Sequence, residues 1–138
     1  MSRAIEDKAK EYLIKHFNHP RYRFTNKSFG ERGFDLWMSD EILAGNVKVE
    51  LKATGGKYGR RRDIFQKLVF SAENEVESFK QGDTKVVRVF LGDTPPKVFL
   101  FDRSVFQDGA QFEKEFRAKI VGRINYRNVT EINSEAMQ

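Results

Sequence analysis

Three side chains in this chain have the types and spacing to do chemistry together. Asp35 lies in Gly33-Phe34-Asp35-Leu36-Trp37, and Glu50 and Lys52 lie in Lys48-Val49-Glu50-Leu51-Lys52. Residues 33 to 54 read as two strands joined by a turn, with Asp35 on the first strand and Glu50 and Lys52 on the second. Alternation in a strand puts Glu50 and Lys52 on one face, and Val47, Val49, Leu51 and Ala53 on the other. Two carboxylates at one sheet edge offer hard oxygen donors. They suit Mg2+, which takes a few carboxylate oxygens and completes its shell with waters and phosphate oxygens. Such an ion stabilises charge at a phosphoryl centre and acidifies a bound water. Lys52 would orient or help deprotonate that water, or stabilise charge on the leaving oxygens, and the Leu51 backbone carbonyl would be a third metal donor. The competing expectation is a cross-strand ion pair on a wet sheet face, worth little.

The elements that must position these residues follow from periodicity. Residues 3 to 17 predict a helix, with Ser2 as cap and Ile5, Ala9, Tyr12, Leu13 and Phe17 as its apolar stripe. Asn18-His19-Pro20 stops it. Arg21 to Asn26 predicts a short strand, Lys27 to Gly33 a turn, and Phe34 to Ser39 the first site strand. Asp40 to Asn46 connects, with Gly45-Asn46 as the turn pair, and Val47 to Ala53 is the second site strand. Thr54 to Asp63 is a basic, glycine-rich loop, and Ile64 to Phe70 a strand or extended entry. Ser71 to Lys80 predicts a helix capped by Ser71, and Lys85 to Leu91 a central strand. Gly92 to Pro96 turns into a partner strand, Lys97 to Phe101. A short helix within Phe106 to Ala118, a β-like Ile120 to Tyr126 and a polar tail complete the chain. The order α-β-β-β-α-β-β predicts an α/β sandwich with a mixed sheet.

Bulk properties bound the function. The chain has 138 residues, which suits a single domain over residues 1–138. Thirteen Phe and 39% apolar residues supply a core. A net charge of +5 permits an anionic partner such as DNA without requiring one. Without cysteine there are no disulfides, Cys-based zinc sites or thiol chemistry, and a reducing compartment fits. The charged N-terminus lacks a signal-peptide core, and no apolar run matches a membrane span. The expectation is a cytoplasmic protein.

With these residues in place, the chain resembles the PD-(D/E)XK, or restriction endonuclease-like, nuclease superfamily. An Asp on one strand and Glu-x-Lys on the next match Asp35 and Glu50-Leu51-Lys52, with Phe34 where the name-giving proline often stands. GFDLW, KVELKAT and FSAENEVESFKQGDTKVVRVFLG are further similar to a branch found beside helicase and restriction modules and at the C-terminus of the plant protein NO VEIN. The resemblance covers roughly residues 5 to 91. It implies an αβββαβ core with a central mixed sheet flanked by helices. It also implies Mg2+-dependent hydrolysis of DNA phosphodiester bonds, with Mn2+ as a substitute. Asp35 and Glu50 would be metal ligands, Lys52 catalytic, and a Glu on the first helix an added catalytic acid. Glu6 fits that place best, with Glu11 as the alternative. A homodimer is compatible with the resemblance, because many such nucleases pair to cut two strands. The alternative expectation is a module of this fold that binds nucleic acid or a protein partner without cutting.

Other residues weigh less. Lys57, Tyr58, Arg60, Arg61 and Arg62 in the basic loop are candidates for gripping DNA phosphates, against solvated loop charge. Glu75 is read as a complement to its helix dipole, against an approach to the site, Asp102 as turn chemistry, Gln66 as a polar strand residue, against positioning a phosphate or water, and Trp37 as partly buried, against stacking on a base. His16 and His19 lack the partners of a zinc site.

Overall fold

The protein is described by a computed structural model covering residues 3–66, 68–70, 73–106, 111–112, 118–119 and 124–134. Helix α1 spans Arg3–Glu11 and widens into a π-turn over Tyr12–His16, closed by Phe17 N–H donating to the Tyr12 carbonyl. Glu6 in its first turn and Lys8 and Lys10 in its last complement the helix dipole. Ala9 and Leu13 bury one face of this helix. Three antiparallel strands follow: β1 (Tyr22–Asn26), β2 (Leu36–Asp40) and β3 (Gly45–Thr54). Helix α2 (Glu73–Gln81) crosses over and returns the chain as β4 (Thr84–Phe90), parallel to β3. The α2 helix ends at Gly82, whose φ of +87° is a backbone state that side-chain-bearing residues avoid. β5 (Lys97–Phe101) runs antiparallel to β4. A two-stranded pair, β6 (Gln111–Phe112) with β7 (Ala118–Lys119), stands apart, and β8 (Thr130–Glu131) adds to the edge of β5. The main sheet is therefore six-stranded and mixed, in the order β1-β2-β3-β4-β5-β8.

Period-two alternation divides the core between the two sheet faces. On the α1 face, Leu36, Met38, Val49, Leu51, Val87 and Val89 pack with Ala9 and Leu13. On the α2 face, Val86, Phe90, Phe99 and Phe101 pack with Phe65, Phe70, Val76 and Phe79. Much of the phenylalanine content is therefore interior rather than surface material. Among the described residues no helix is long and apolar enough to cross a membrane.

Several sequence expectations change. Gly45 and Asn46 are not the turn: they open β3, opposite Asp40 and Ser39. The turn is Glu41 to Ala44, because the Asp40 carboxylate accepts from the N–H groups of Ile42 and Leu43 and its carbonyl from Ala44 N–H. That local closure lets Ala44 take φ +51°. Ile64 and Phe65 do not start a strand. They end a 3-10 turn over Arg61–Phe65, with Asp63 accepting at its N-terminus from Arg60 N–H. Within Phe106 to Ala118, the described residues 111–112 and 118 belong to a strand pair, not a helix. The tail is not merely polar, since its β8 pairs with β5. The caps expected at Ser2 and Ser71 lie outside the described residues.

Asp40 anchors the β2–β3 turn. It is 4% exposed and accepts from Arg21 Nε at 2.9 Å and Nη2 at 3.0 Å. These donors and the two turn N–H groups, against the cost of burial, hold its carboxyl at about 2. Its stabilising effect is therefore present above the unfolded value near 4 and lost as pH falls towards 2. Asp40→Ala is expected to cost about 1–3 kcal/mol at pH 7. The gap from the parent in urea unfolding should narrow towards pH 2.

Candidate metal and phosphodiester site

Asp35 sits one residue before β2, where the ladder slips. Leu36 pairs with Val49, yet Asp35 N–H also donates to the Val49 carbonyl, at 2.8 Å. Two residues then face one, as in a β-bulge, a device that re-aims a side chain at a strand end. Gly33, at φ +88°, makes the preceding turn possible and lies against Asn74 at the start of α2. The expectation of Asp35 within the strand is corrected to this position. Its carboxylate replaces the missing strand: Oδ2 accepts from Leu51 N–H at 2.7 Å. N–H and C=O of one strand residue point to the same edge. The Leu51 carbonyl is therefore directed to the side where Asp35 stands.

Glu50 and Lys52 lie on the α2 face of β3, and they are not on a wet surface. Glu50 is 3% exposed and Lys52 7%. Lys52 Nζ is 3.2 Å from Glu50 Oε1 and 5.1 Å from the Phe70 ring centroid. Glu50 Oε2 is buried with no hydrogen-bond partner. Burial pushes the Glu50 carboxyl up to about 9, and the charges of Asp35 and Glu75 add to the rise, while Lys52 opposes it. The weak, solvated ion pair entertained from sequence does not describe this geometry, because both groups have left water.

Two further acids share the neighbourhood. Glu6 on α1 is half-buried, and its carboxyl is raised by burial and by Asp35, with Lys52 acting the other way. Glu75 on α2 is 8% exposed and acts on Glu50. Its burial and its action on Glu50 favour the alternative of an approach to the site over the dipole role alone. The signal was there: Glu75 is adjacent to the core residue Val76 and four before Phe79, so it flanks the apolar stripe.

Among the described residues, no three His, Cys, Asp or Glu side chains are grouped as a metal cage. A hard cation with two protein carboxylates fits the site better than a cage-bound one. The unpartnered Glu50 Oε2, Asp35, whose charge acts on it, and the Leu51 carbonyl would supply an all-oxygen set, and Mg2+ accepts one or two carboxylates with waters and phosphate oxygens.

The basic loop packs against β4, β5 and Tyr126. Tyr58 is half-buried, its ring 5.4 Å from Phe90 and 4.8 Å from Phe99, with its N–H on Asp93. Arg61 stacks 4.4 Å over Tyr126. Lys57, Arg60 and Arg62 are exposed. These contacts draw the loop towards β4 and β5, with β3 between it and Asp35. Gln66 is exposed, and its carbonyl accepts from Arg88. Asp102 accepts from Ser104 N–H in a turn, as expected.

Arg88, next to Lys52 in the β3–β4 register, was not anticipated. It is 4% exposed, donates to the Gln66 carbonyl at 2.9 Å, and leaves Nε unpartnered. Burial lowers its pKa. Its signal is a cation flanked on both sides by apolar residues within KVVRVFL. A buried cation with an orphan N–H is costly, and an apolar side chain of similar length removes that cost. Arg88→Met is therefore expected to keep or raise stability, by on the order of 1 kcal/mol. Thermal melting checks this.

No family model, curated protein or solved structure matches this chain.

Proposed function

We propose that this chain is a metal-dependent nuclease of the PD-(D/E)XK type that hydrolyses DNA phosphodiester bonds. The observation that carries the reading is the buried Glu50, with one oxygen on Lys52 and the other unpartnered, beside Asp35. A restriction endonuclease-like αβββαβ core is supported by the order α1-β1-β2-β3-α2-β4, with β3 parallel to β4.

In this reading Asp35, Glu50 and the Leu51 carbonyl hold Mg2+, or Mn2+ in its place. When bound, the ion supplies Lewis-acid stabilisation of charge on the phosphoryl oxygens. Lys52 donates a hydrogen bond that orients the attacking water and stabilises developing negative charge. The water oxygen bonds to phosphorus as the bond to the leaving deoxyribose oxygen breaks; one water proton stays on the new phosphate and the other passes to solvent, from which Glu6 regains the proton it gives up. Glu6, whose half-buried carboxyl keeps its proton to higher pH, supplies a proton to that leaving oxygen. A second reading, a fold-mate that binds without cutting, draws on the closed Glu50–Lys52 pair, which keeps Nζ on a carboxylate rather than on a water.

Cleavage of plasmid, single-stranded and branched DNA with Mg2+ or Mn2+ separates the two. The nuclease reading expects metal-dependent cutting that Lys52→Ala removes. Absence of cutting on every substrate by both proteins sinks it, and salt-sensitive DNA binding would then favour the binding module.

A further inference from the structure

The α2 helix packs over β4 and β5, and among the described residues the same face of β1, β2 and the start of β3 carries exposed Arg23, Thr25 and Lys48 and half-buried Trp37 and Ser39. On β1 and β2, Tyr22, Phe24, Leu36 and Met38 point into the α1-side core. Their alternates, Arg23 and Trp37, therefore share the opposite face, and Lys48 joins them from β3. The register sets Trp37 opposite Lys48, and Arg23 opposite Ser39. Arg23 and Lys48 are exposed, and Trp37 is half-buried. Lys48 Nζ is 5.5 Å and Lys27 Nζ 5.8 Å from the ring centroid of Phe34, the neighbour of Asp35. Lys27 also donates to the Phe34 carbonyl at 2.8 Å. The Trp37 indole N–H is held by Glu31, and its ring packs edge-on to Phe34, 4.8 Å between centroids. A fixed aromatic ring and three cations thus lead to the carboxylates of the site.

We infer that this face of β1–β3 is the surface on which DNA docks, its phosphates held by Arg23, Lys27 and Lys48 and led to Asp35 and Glu50. The inference rests on the nuclease reading for its endpoint, but its test does not. Three cations against the carboxylate of Glu31, on which the charge of Lys48 acts, leave this face net positive and select a polyanion, and continuity with the site selects this face over the basic loop. Arg23 lies two strands and about four residues from Glu50, on the order of 16 Å. That span matches roughly four to five phosphates of one B-form strand.

Binding of a fluorescein-labelled DNA duplex is followed by anisotropy in EDTA, across about 50–200 mM KCl. Arg23→Gln with Lys48→Gln is expected to weaken binding about tenfold or more and to reduce the salt slope by about 2. Arg60→Gln with Arg62→Gln should cost less. Both pairs are exposed, so circular dichroism should confirm that each variant folds. Trp37 is the single tryptophan, so its emission should change as DNA binds. The inference is overturned if the parent does not bind, if the face pair binds like the parent, or if the loop pair carries the loss. It is also overturned if Trp37 emission is unmoved, or if an RNA duplex or a protein competes DNA off this face. Binding without cutting removes the nuclease reading and leaves this surface standing. Cutting with unaltered binding by the face pair does the reverse.

Discussion

The Glu50→Gln variant is expected to be more stable than the parent at pH 7, by about 2–3 kcal/mol, and inactive in any metal-dependent cleavage. Glu50 has a folded pKa of about 9, raised first by burial and then by Asp35. The folded state therefore binds its proton more tightly than the unfolded chain, where the value is near 4.5. Stability from this group is fully present below that unfolded value, and it is lost as pH rises towards 9. At pH 7 the parent already bears part of that cost. Gln imitates the protonated carboxyl, keeps an oxygen for Lys52 Nζ, and does not titrate. Melting temperatures should thus differ by roughly 5–10 °C at pH 7, converge near pH 4.5 and diverge above it. Mg2+ should raise the parent's melting temperature at pH 8, because a ligand that binds only the folded state stabilises it. The Gln variant should not respond. Equal melting of the two proteins from pH 5 to 9 would show that Glu50 is not held as the structure has it.

Lys52→Met is expected to lower cleavage by about a thousandfold or more while costing on the order of 1 kcal/mol of stability at pH 6. Met preserves the apolar stem that packs beside Phe70 and leaves no large cavity. What it removes is the ammonium 3.2 Å from Glu50. An unpaired buried carboxylate would normally cost several kcal/mol. Here Glu50 escapes most of that cost by keeping its proton. Since Lys52 is what lowers the Glu50 pKa, the variant should hold that proton to still higher pH, and its stability should go on falling above pH 9, where the parent's loss levels off. Lys52→Arg should not rescue cleavage, because a planar guanidinium does not fit a 7%-exposed position shaped for an ammonium. Full activity in the Met variant would remove Lys52 from the chemistry.

The alternation of Val49 and Leu51 against Glu50 and Lys52 was legible from residue types alone, because a strand repeats every two residues whatever it packs against. So were the order of the main elements and the central place of KVVRVFL, since apolar periodicity and glycine or proline breaks are local properties. The turn at Asp40 was misplaced by sequence. Its chemistry is a carboxylate reaching two N–H groups and a distant Arg21, and Gly45-Asn46 only looked like the better turn. For the loop from Lys57 to Arg62, sequence shows only charge and glycine content, not what it packs on. Its position is set by Tyr58 packing on Phe90 and Phe99, contacts between residues far apart in the chain.

The opening triad shows the division most clearly. Residue identity determined that two carboxylates and a lysine could meet at the β2–β3 edge. Only the tertiary structure decided that Glu50 and Lys52 are out of water, that Asp35 steps off its strand to take the Leu51 N–H, and that Glu6 and Glu75 act on the same charges. The physical reason is desolvation. Burial on the α2 face depends on Phe70, Val76 and Phe79 closing over β3 and β4, and no local pattern around Glu50 encodes that cover.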